Sequence, residues 1–236
     1  MPIPKGGKAI DRSLKVDGYR GISISPVLSK ILEHCILDLF KRFFVTSDNQ
    51  FGFKKGLSCS QAIYSVRCVV NKYIEGGSTV SICALDLSKA FDKVNHFALL
   101  SKLMTRNVPV LLLRLVERWF SLASTCVKWG GYIMYFFKVF AGVRQGDALS
   151  PCLFVIYVDD VVKKIYNSGL GCNLSFICTS VFLYADDILL LSPSVHALQA
   201  MLLICEQELL SLDICLNHNK SVCIRVGHVL TPTALN

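Results

Sequence analysis

The stretch that most constrains this chain is Val181 to Leu191, VFLYADDILLL. Two apolar runs, residues 181–184 and 188–191, each have the length and composition of a buried strand, and two adjacent carboxylates, Asp186 and Asp187, lie between them. The pattern predicts a tight hairpin with acids at its tip. Unpaired carboxylates are costly to bury, so such groups are normally paired, neutralised or bound to metal. Taken alone, an Asp-Asp pair favours the plain reading of a solvated turn. The rest of the chain shifts the balance toward a divalent-ion site.

A second Tyr-x-Asp-Asp occurs at Tyr157 to Asp160 and has to be told apart from the first. Here Leu153, Phe154, Tyr157, Val161 and Ile165 recur at helical spacing, while Asp159 stands four residues before Lys163 and Asp160 four before Lys164. These acids read as a solvated helix face with ion-pair partners. Tyr184 to Asp187 is flanked by strand-like runs without a nearby base, so only that pair calls for a ligand from elsewhere.

With 236 residues, 53% hydrophobic and 18% charged, the chain can bury the core of one large domain or two small ones. A net charge of +8 leans toward an acidic partner such as nucleic acid, although the basic residues are scattered. No apolar run reaches the roughly 18 residues of a membrane span, and MPIPKGGKAID lacks the apolar core of a signal peptide. The expectation is a soluble, intracellular protein with no membrane partner. The eleven cysteines show no Cys-x-x-Cys and no Cys/His cluster at zinc spacing, so they read as buried free thiols with no metal and no disulfide.

Residues 1–24, with Pro2, Pro4, the Gly6-Gly7 pair, Lys5, Lys8, Arg12, Lys15 and Arg20, read as a basic, loop-rich opening. Ser25-Pro26 starts a helix to about Phe44, with Leu28, Ile31, Leu32, Cys35, Leu39 and Phe43 as its apolar face. Ser58 or Ser60 caps a second helix with the face Ile63, Val66, Val70 and Tyr73, stopped by Gly76-Gly77. Thr79 to Leu87 is a central strand with Asp86 at its end. Helices at about 97–106 and 110–123, paired strands around Gly130-Gly131, and a helix from Pro151 to about Tyr166 follow. After the acidic hairpin come a helix capped by Ser194 and a last strand, Ser221 to Val226. Strands and helices alternate irregularly, so the expected class is α+β.

If the strand of Asp86 neighbours the hairpin of Asp186 and Asp187, three carboxylates converge. Such a cluster suits two Mg²⁺ ions, which favour a few carboxylates together with phosphate oxygens and water, and which can serve in-line phosphoryl transfer. The chemistry points to polynucleotide synthesis or cleavage.

In order along the chain, ALDLSKAFDKVNH (84–96), GVRQGDALSPCLF (142–154), YADD (184–187) and LNHNKS (216–221) resemble the palm motifs of reverse transcriptases from non-LTR, LINE-like retrotransposons. IPK (3–5), DGYRGISISPVLSKILEH (17–34) and QFGFKKGLS (50–58) resemble the same family's fingers motifs. The resemblance implies a right-hand polymerase fold with an antiparallel palm sheet packed on helices, residues 1–78 being fingers-like and 79–236 palm. Asp86, Asp186 and Asp187 would be the catalytic, metal-binding carboxylates, served by two Mg²⁺ ions with Mn²⁺ as a substitute. Lys220 would protonate the pyrophosphate leaving group, with an ordinary surface lysine as the alternative. Phe91 would be the steric gate against the ribose 2′-hydroxyl, or else a core aromatic. Gln145 would lie by the incoming nucleotide, and Arg20 and Lys5 would grip its triphosphate or be solvated charges. His96 reads as a packing or hydrogen-bonding residue.

The chain departs from the family at Arg20-Gly21, where arginine-proline is usual, at Leu57 and Cys59, where arginine and threonine are common, and at Ala148, a frequent proline. The family's thumb is expected after residue 220 and is not among the 236 residues. The leading reading is an RNA-directed DNA polymerase core that acts on an RNA template, a DNA primer and dNTPs, in nucleus or cytoplasm. The alternative is a truncated, catalytically inactive retroelement fragment that at most binds nucleic acid. A group II intron-like or telomerase-like relative on the same palm is a third reading; the spellings KAFDKVNH and GVRQGDALSP favour the LINE-like branch.

Overall fold

The computed structural model describes residues 2–5, 18–175 and 177–227. In chain order the elements are β1 (Pro2–Pro4), β2 (Tyr19–Gly21), α1 (Val27–Leu39), α2 (Cys59–Glu75), β3 (Val80–Leu85), α3 (His96–Thr105), α4 (Val110–Ser121) and β4 (Ser124–Thr125). There follow β5 (Lys128–Trp129), β6 (Tyr132–Ile133), β7 (Phe137–Lys138), α5 (Ser150–Ser168), β8 (Asn173–Leu174), β9 (Ile177–Cys178), β10 (Val181–Tyr184), β11 (Asp187–Ser192), α6 (Val195–Ser211) and β12 (Val222–Val226). The mixture of helices with antiparallel strands is α+β, as the irregular alternation in the sequence predicts. The chain divides into two compact units, one of residues 1–45 and 91–157, the other of 46–90 and 158–236.

The second unit is built on a four-stranded sheet in the order β10-β11-β3-β12, with every neighbouring pair antiparallel. Alternation sends Val80, Ile82, Leu189 and Leu191 to one face, where they pack with Phe182 and with Val69 and Val70 of α2. Cys83 lies on the other face, where Cys205 of α6 approaches it, and α6 packs on β3 and β11. Helix α2 begins at a full capping box: the Ser58 hydroxyl accepts from Gln61 N–H and the Gln61 carboxamide accepts from Ser58 N–H. Its buried positions are Ala62, Val69 and Val70, and Val66 and Tyr73 of the expected face pack against the same core, whereas Ile63 is exposed.

In the first unit, β1 and β2 pair with Ile3 opposite Arg20, so the expected loop is a short ribbon at its two ends. Gly6-Gly7, Lys8, Arg12 and Lys15 lie outside the described residues. Helix α1 ends at Leu39 and gives way to a 3₁₀ turn, Lys41–Phe43. Its buried residues are Glu33 and Ile36, whereas Leu28, Ile31, Leu32 and Leu39 are exposed, against the sequence expectation. Glu33 goes in because its Oε2 accepts from Leu149 N–H at 2.9 Å and so satisfies an amide just before α5. The Gly130-Gly131 strands form as expected, with both glycines at positive φ between β5 and β6. Asn95 caps α3, accepting from the Phe97 and Ala98 amides.

The eleven cysteines stand as free thiols, and only Cys83, Cys172 and Cys205 are buried. Cys35, Cys59, Cys68, Cys215 and Cys223 are exposed, which corrects the picture of uniformly buried thiols. Among the described residues, no helix is long and apolar enough to cross a membrane.

Candidate active site

The acids gather at one end of the second unit's sheet. β10 and β11 form the expected hairpin, Tyr184 opposite Asp187, with Ala185 and Asp186 as a two-residue turn. Ala185 sits at φ +61°, a left-handed conformation that a two-residue hairpin turn needs at its first position. On the other side, β11 pairs with β3 up to Ile188 opposite Leu85. One further step of this register sets Asp187 opposite Asp86. A third segment closes the group: Leu87 bridges Leu216, Asn217 N–H donates to the Asp86 carbonyl at 2.8 Å, and Asp86 N–H donates to Ser221 Oγ at 3.3 Å. The turn of residues 216–221 therefore delivers Lys220, whose Nζ lies 3.5 Å from Asp86 Oδ2, and Asn217, whose Nδ2 donates to the same oxygen at 3.0 Å.

Asp86, Asp186, Asp187 and Lys220 are thus brought into one place from three separate segments. Burial pushes the Asp187 carboxyl above its ordinary pKa, repulsion from Asp186 and Asp86 adds to this, and Lys220 offsets part of it. Mutual repulsion of this kind fits a group that takes up cations. Among the described residues no three His, Cys, Asp or Glu side chains stand as a formed ligand cluster; Asp86 is turned toward Asn217 and Lys220. Asn217 escaped the sequence reading, although it lies in the same LNHNK turn as Lys220. An asparagine in a turn that caps a strand-end acid was the available signal.

The other predicted site residues belong to the first unit. Phe91 is half-buried and stacks on Phe154, with ring centroids 4.6 Å apart and planes at 16°. The Gln145 loop is held from several sides: the Gln145 carbonyl accepts from Ser23 N–H at 2.8 Å, and Ser25 Oγ donates to Asp147 Oδ1 at 2.6 Å. His96 contributes to the same loop, as a hydrogen-bonding and packing residue. Its Nε2 is 2.8 Å from the Gly142 carbonyl and its ring stacks on Phe120. Arg20 lies on β2, and Lys5, just after β1, is exposed and bonds through its amide to the Gly18 carbonyl.

The second Tyr-x-Asp-Asp lies on α5, as its periodicity predicts, but of its two acids only Asp160 is solvated. Tyr157 is 0% and Asp159 1% exposed. Asp159 pairs with Lys163 at 3.0 Å, as expected; Asp160 also pairs with Lys163, at 3.1 Å, while Lys164 turns to Glu208 on α6. Asp159 goes in because a backbone amide needs it: Ser47 N–H donates to its Oδ1 at 2.8 Å.

Residues 3–230 match the family of the reverse transcriptase (RNA-dependent DNA polymerase). The RNA-directed DNA polymerase from mobile element jockey of Drosophila funebris is 31% identical over 206 residues, covering 84% of this chain and 21% of that protein. The retrovirus-related Pol polyprotein from the type-1 retrotransposable element R2 of Nasonia vitripennis is 30% identical over 210 residues, covering 85% of this chain and 19% of its own length. The chain therefore spans about a fifth of the length of these curated relatives. In fold, it resembles an apo telomerase from Candida tropicalis truncated from its C-terminal domain, with a TM-score of 0.62 at 15% identity over 86% of this chain and 42% of that one. With its ordered motifs, polymerase-like fold and relatives among non-LTR retrotransposon polymerases, the chain belongs to the reverse transcriptase family.

Proposed function

We propose that this chain is the fingers and palm core of an RNA-directed DNA polymerase that adds dNTPs to the 3′-hydroxyl of a DNA primer on an RNA template. What supports the reading is the placement of Asp86 opposite Asp187 at the end of the β3–β11 register, with Asp186 at the adjoining turn and Lys220 against Asp86. Within it, residues 1–78 are fingers and 79–236 palm, and the work is done in nucleus or cytoplasm.

Asp86, Asp186 and Asp187 would hold two Mg²⁺ ions, or Mn²⁺ in their place. Such ions supply Lewis-acid stabilisation of phosphate oxygens and favour ionisation of the attacking hydroxyl. Lys220 carries a proton on Nζ beside Asp86 and delivers it to the departing pyrophosphate oxygen. Phe91 excludes the ribose 2′-hydroxyl, Gln145 lies by the incoming nucleotide, and Arg20 and Lys5 hold its triphosphate; these four roles rest on the motif resemblance.

Primer extension on an RNA template, with Mg²⁺ against EDTA and wild type against Asp186→Asn, tests the reading. Metal-dependent extension lost in the variant supports it. Extension that survives Asp186→Asn overturns the catalytic assignment, and a folded chain that binds RNA without extending a primer returns the binding-only fragment.

A further inference from the structure

The acidic hairpin is held from outside by a loop that the catalytic reading leaves unused. β10 is an edge strand of its sheet, and residues 49–51 cover that edge. Leu183 N–H donates to the Asn49 carbonyl and Phe51 N–H donates to the Leu183 carbonyl, each at 2.8 Å. The Asn49 carboxamide donates to the carbonyls of Val181 at 2.7 Å and Cys178 at 3.1 Å. Phe51 packs on Phe182, with centroids 5.9 Å apart.

Two residues of this loop reach the turn itself. Gln50 is 1% exposed, and its Oε1 accepts from Gly52 N–H at 2.8 Å and from Ala185 N–H at 3.4 Å. Its Nε2 is buried without a partner. A buried donor left unmade is unfavourable, so what Gln50 contributes here comes through its oxygen. A Cβ on Gly52 would stand 2.1 Å from Ala185 N and 2.9 Å from its Cα, so the loop backbone lies directly on the turn. Ala185, the residue so engaged, is the one at φ +61°, a conformation an alanine does not hold by preference.

The loop is in turn tied to α5 by the second Tyr-x-Asp-Asp. Asp159 accepts from Ser47 N–H, while Lys54 Nζ donates to the carbonyls of Thr46 at 3.1 Å and Ser47 at 2.6 Å. One Tyr-x-Asp-Asp thus anchors the loop that holds the other.

We propose that residues 46–54, anchored by Asp159, form a brace that keeps Ala185 left-handed and thereby sets the aim of Asp186 and Asp187, which makes Gln50 and Gly52 positioning residues. The proposal rests on the catalytic reading for its consequence. Its test separates the two. Amide hydrogen exchange of residues 184–187 reads the brace directly, and Mn²⁺ binding followed by electron paramagnetic resonance reads the carboxylates. Gln50→Met keeps the volume and removes the acceptor, so exchange at the turn rises about tenfold while β3 stays protected, and Mn²⁺ binds about tenfold more weakly. Ala185→Gly makes positive φ intrinsically acceptable, so adding it to Gln50→Met restores Mn²⁺ affinity within about threefold, while exchange at position 185, whose acceptor is gone, stays raised. A role confined to general stability would not be rescued this way. Unchanged exchange in folded Gln50→Met, raised exchange with unchanged Mn²⁺ affinity, or failure of the Ala185→Gly rescue each overturns the brace. Mn²⁺ binding that survives Asp186→Asn overturns the metal reading instead, and the exchange result still judges the loop.

Discussion

Asp187 stands opposite Asp86, one residue beyond the last paired positions of β11 and β3. Asp187 is repelled by both Asp186 and Asp86, so the sheet end concentrates like charge, and its carboxyl lies above its ordinary pKa through burial first and repulsion second. Because ionised Asp187 is less favourable in the folded state, its cost is present above its raised pKa and disappears as pH falls below the unfolded value near about 3.9. Asp187→Asn is therefore expected to raise the melting temperature at neutral pH, with the gain shrinking toward about pH 3. Millimolar Mg²⁺ or Mn²⁺ should stabilise wild type more than the variant. Thermal unfolding followed across pH, with and without the cation, checks both.

Lys220 and Asp86 make the charge pair of the site, at 3.5 Å. Lys220 is largely exposed, so the pair adds little to stability, and its effect belongs to the reaction. Lys220→Ala should lower the rate of single-nucleotide incorporation by on the order of 10²-fold, with dNTP affinity nearly unchanged. Lys220→Arg should fail to restore it, because a guanidinium does not release its proton. Rapid-quench kinetics decides the matter: a full rescue by arginine would reduce the role to electrostatics.

Asp159 titrates in the opposite sense to Asp187. Burial raises its pKa, but the Ser47 amide and Lys163 outweigh burial and hold it below the usual carboxylate range. Its stabilisation is present above the unfolded value, near about 3.9, and is lost as pH falls through the lower folded one. Asp159→Asn should accordingly flatten the acid limb of the stability profile below about pH 4, and unfolding midpoints in urea against pH measure this.

Gly146 follows Gln145 at φ +121°, and a Cβ there would meet the Ser23 carbonyl at 2.6 Å. Gly146→Ala should cost about 1–3 kcal/mol and break the Ser23–Gln145 backbone hydrogen bond. Chemical denaturation gives the first, and amide exchange at Ser23 the second.

Much of the fold was written locally. The two apolar runs around Asp186 and Asp187 specified a hairpin because each is a strand in length and composition. Ser58 with Gln61 specified a helix start through their own backbone amides, and the Gly130-Gly131 turn required only the positive φ those residues allow. The site carboxylates were legible for the same reason, each sitting at a strand end or turn. What the sequence could not convey was which polar groups long-range contacts would draw inside. Asp159 and Glu33 look like solvated helix residues until Ser47 and Leu149, more than a hundred positions away, present amides that need acceptors.

By itself, then, the sequence determined the elements, the acidic tip and the order of motifs, all consequences of neighbours within a few residues. Tertiary structure alone decided that Asp86 faces Asp187, that Asn217 joins Lys220 on Asp86, and that Gln50 and Gly52 lie on Ala185. Strand register and the satisfaction of buried hydrogen bonds are properties of segments brought together from far apart, and periodicity carries no record of them.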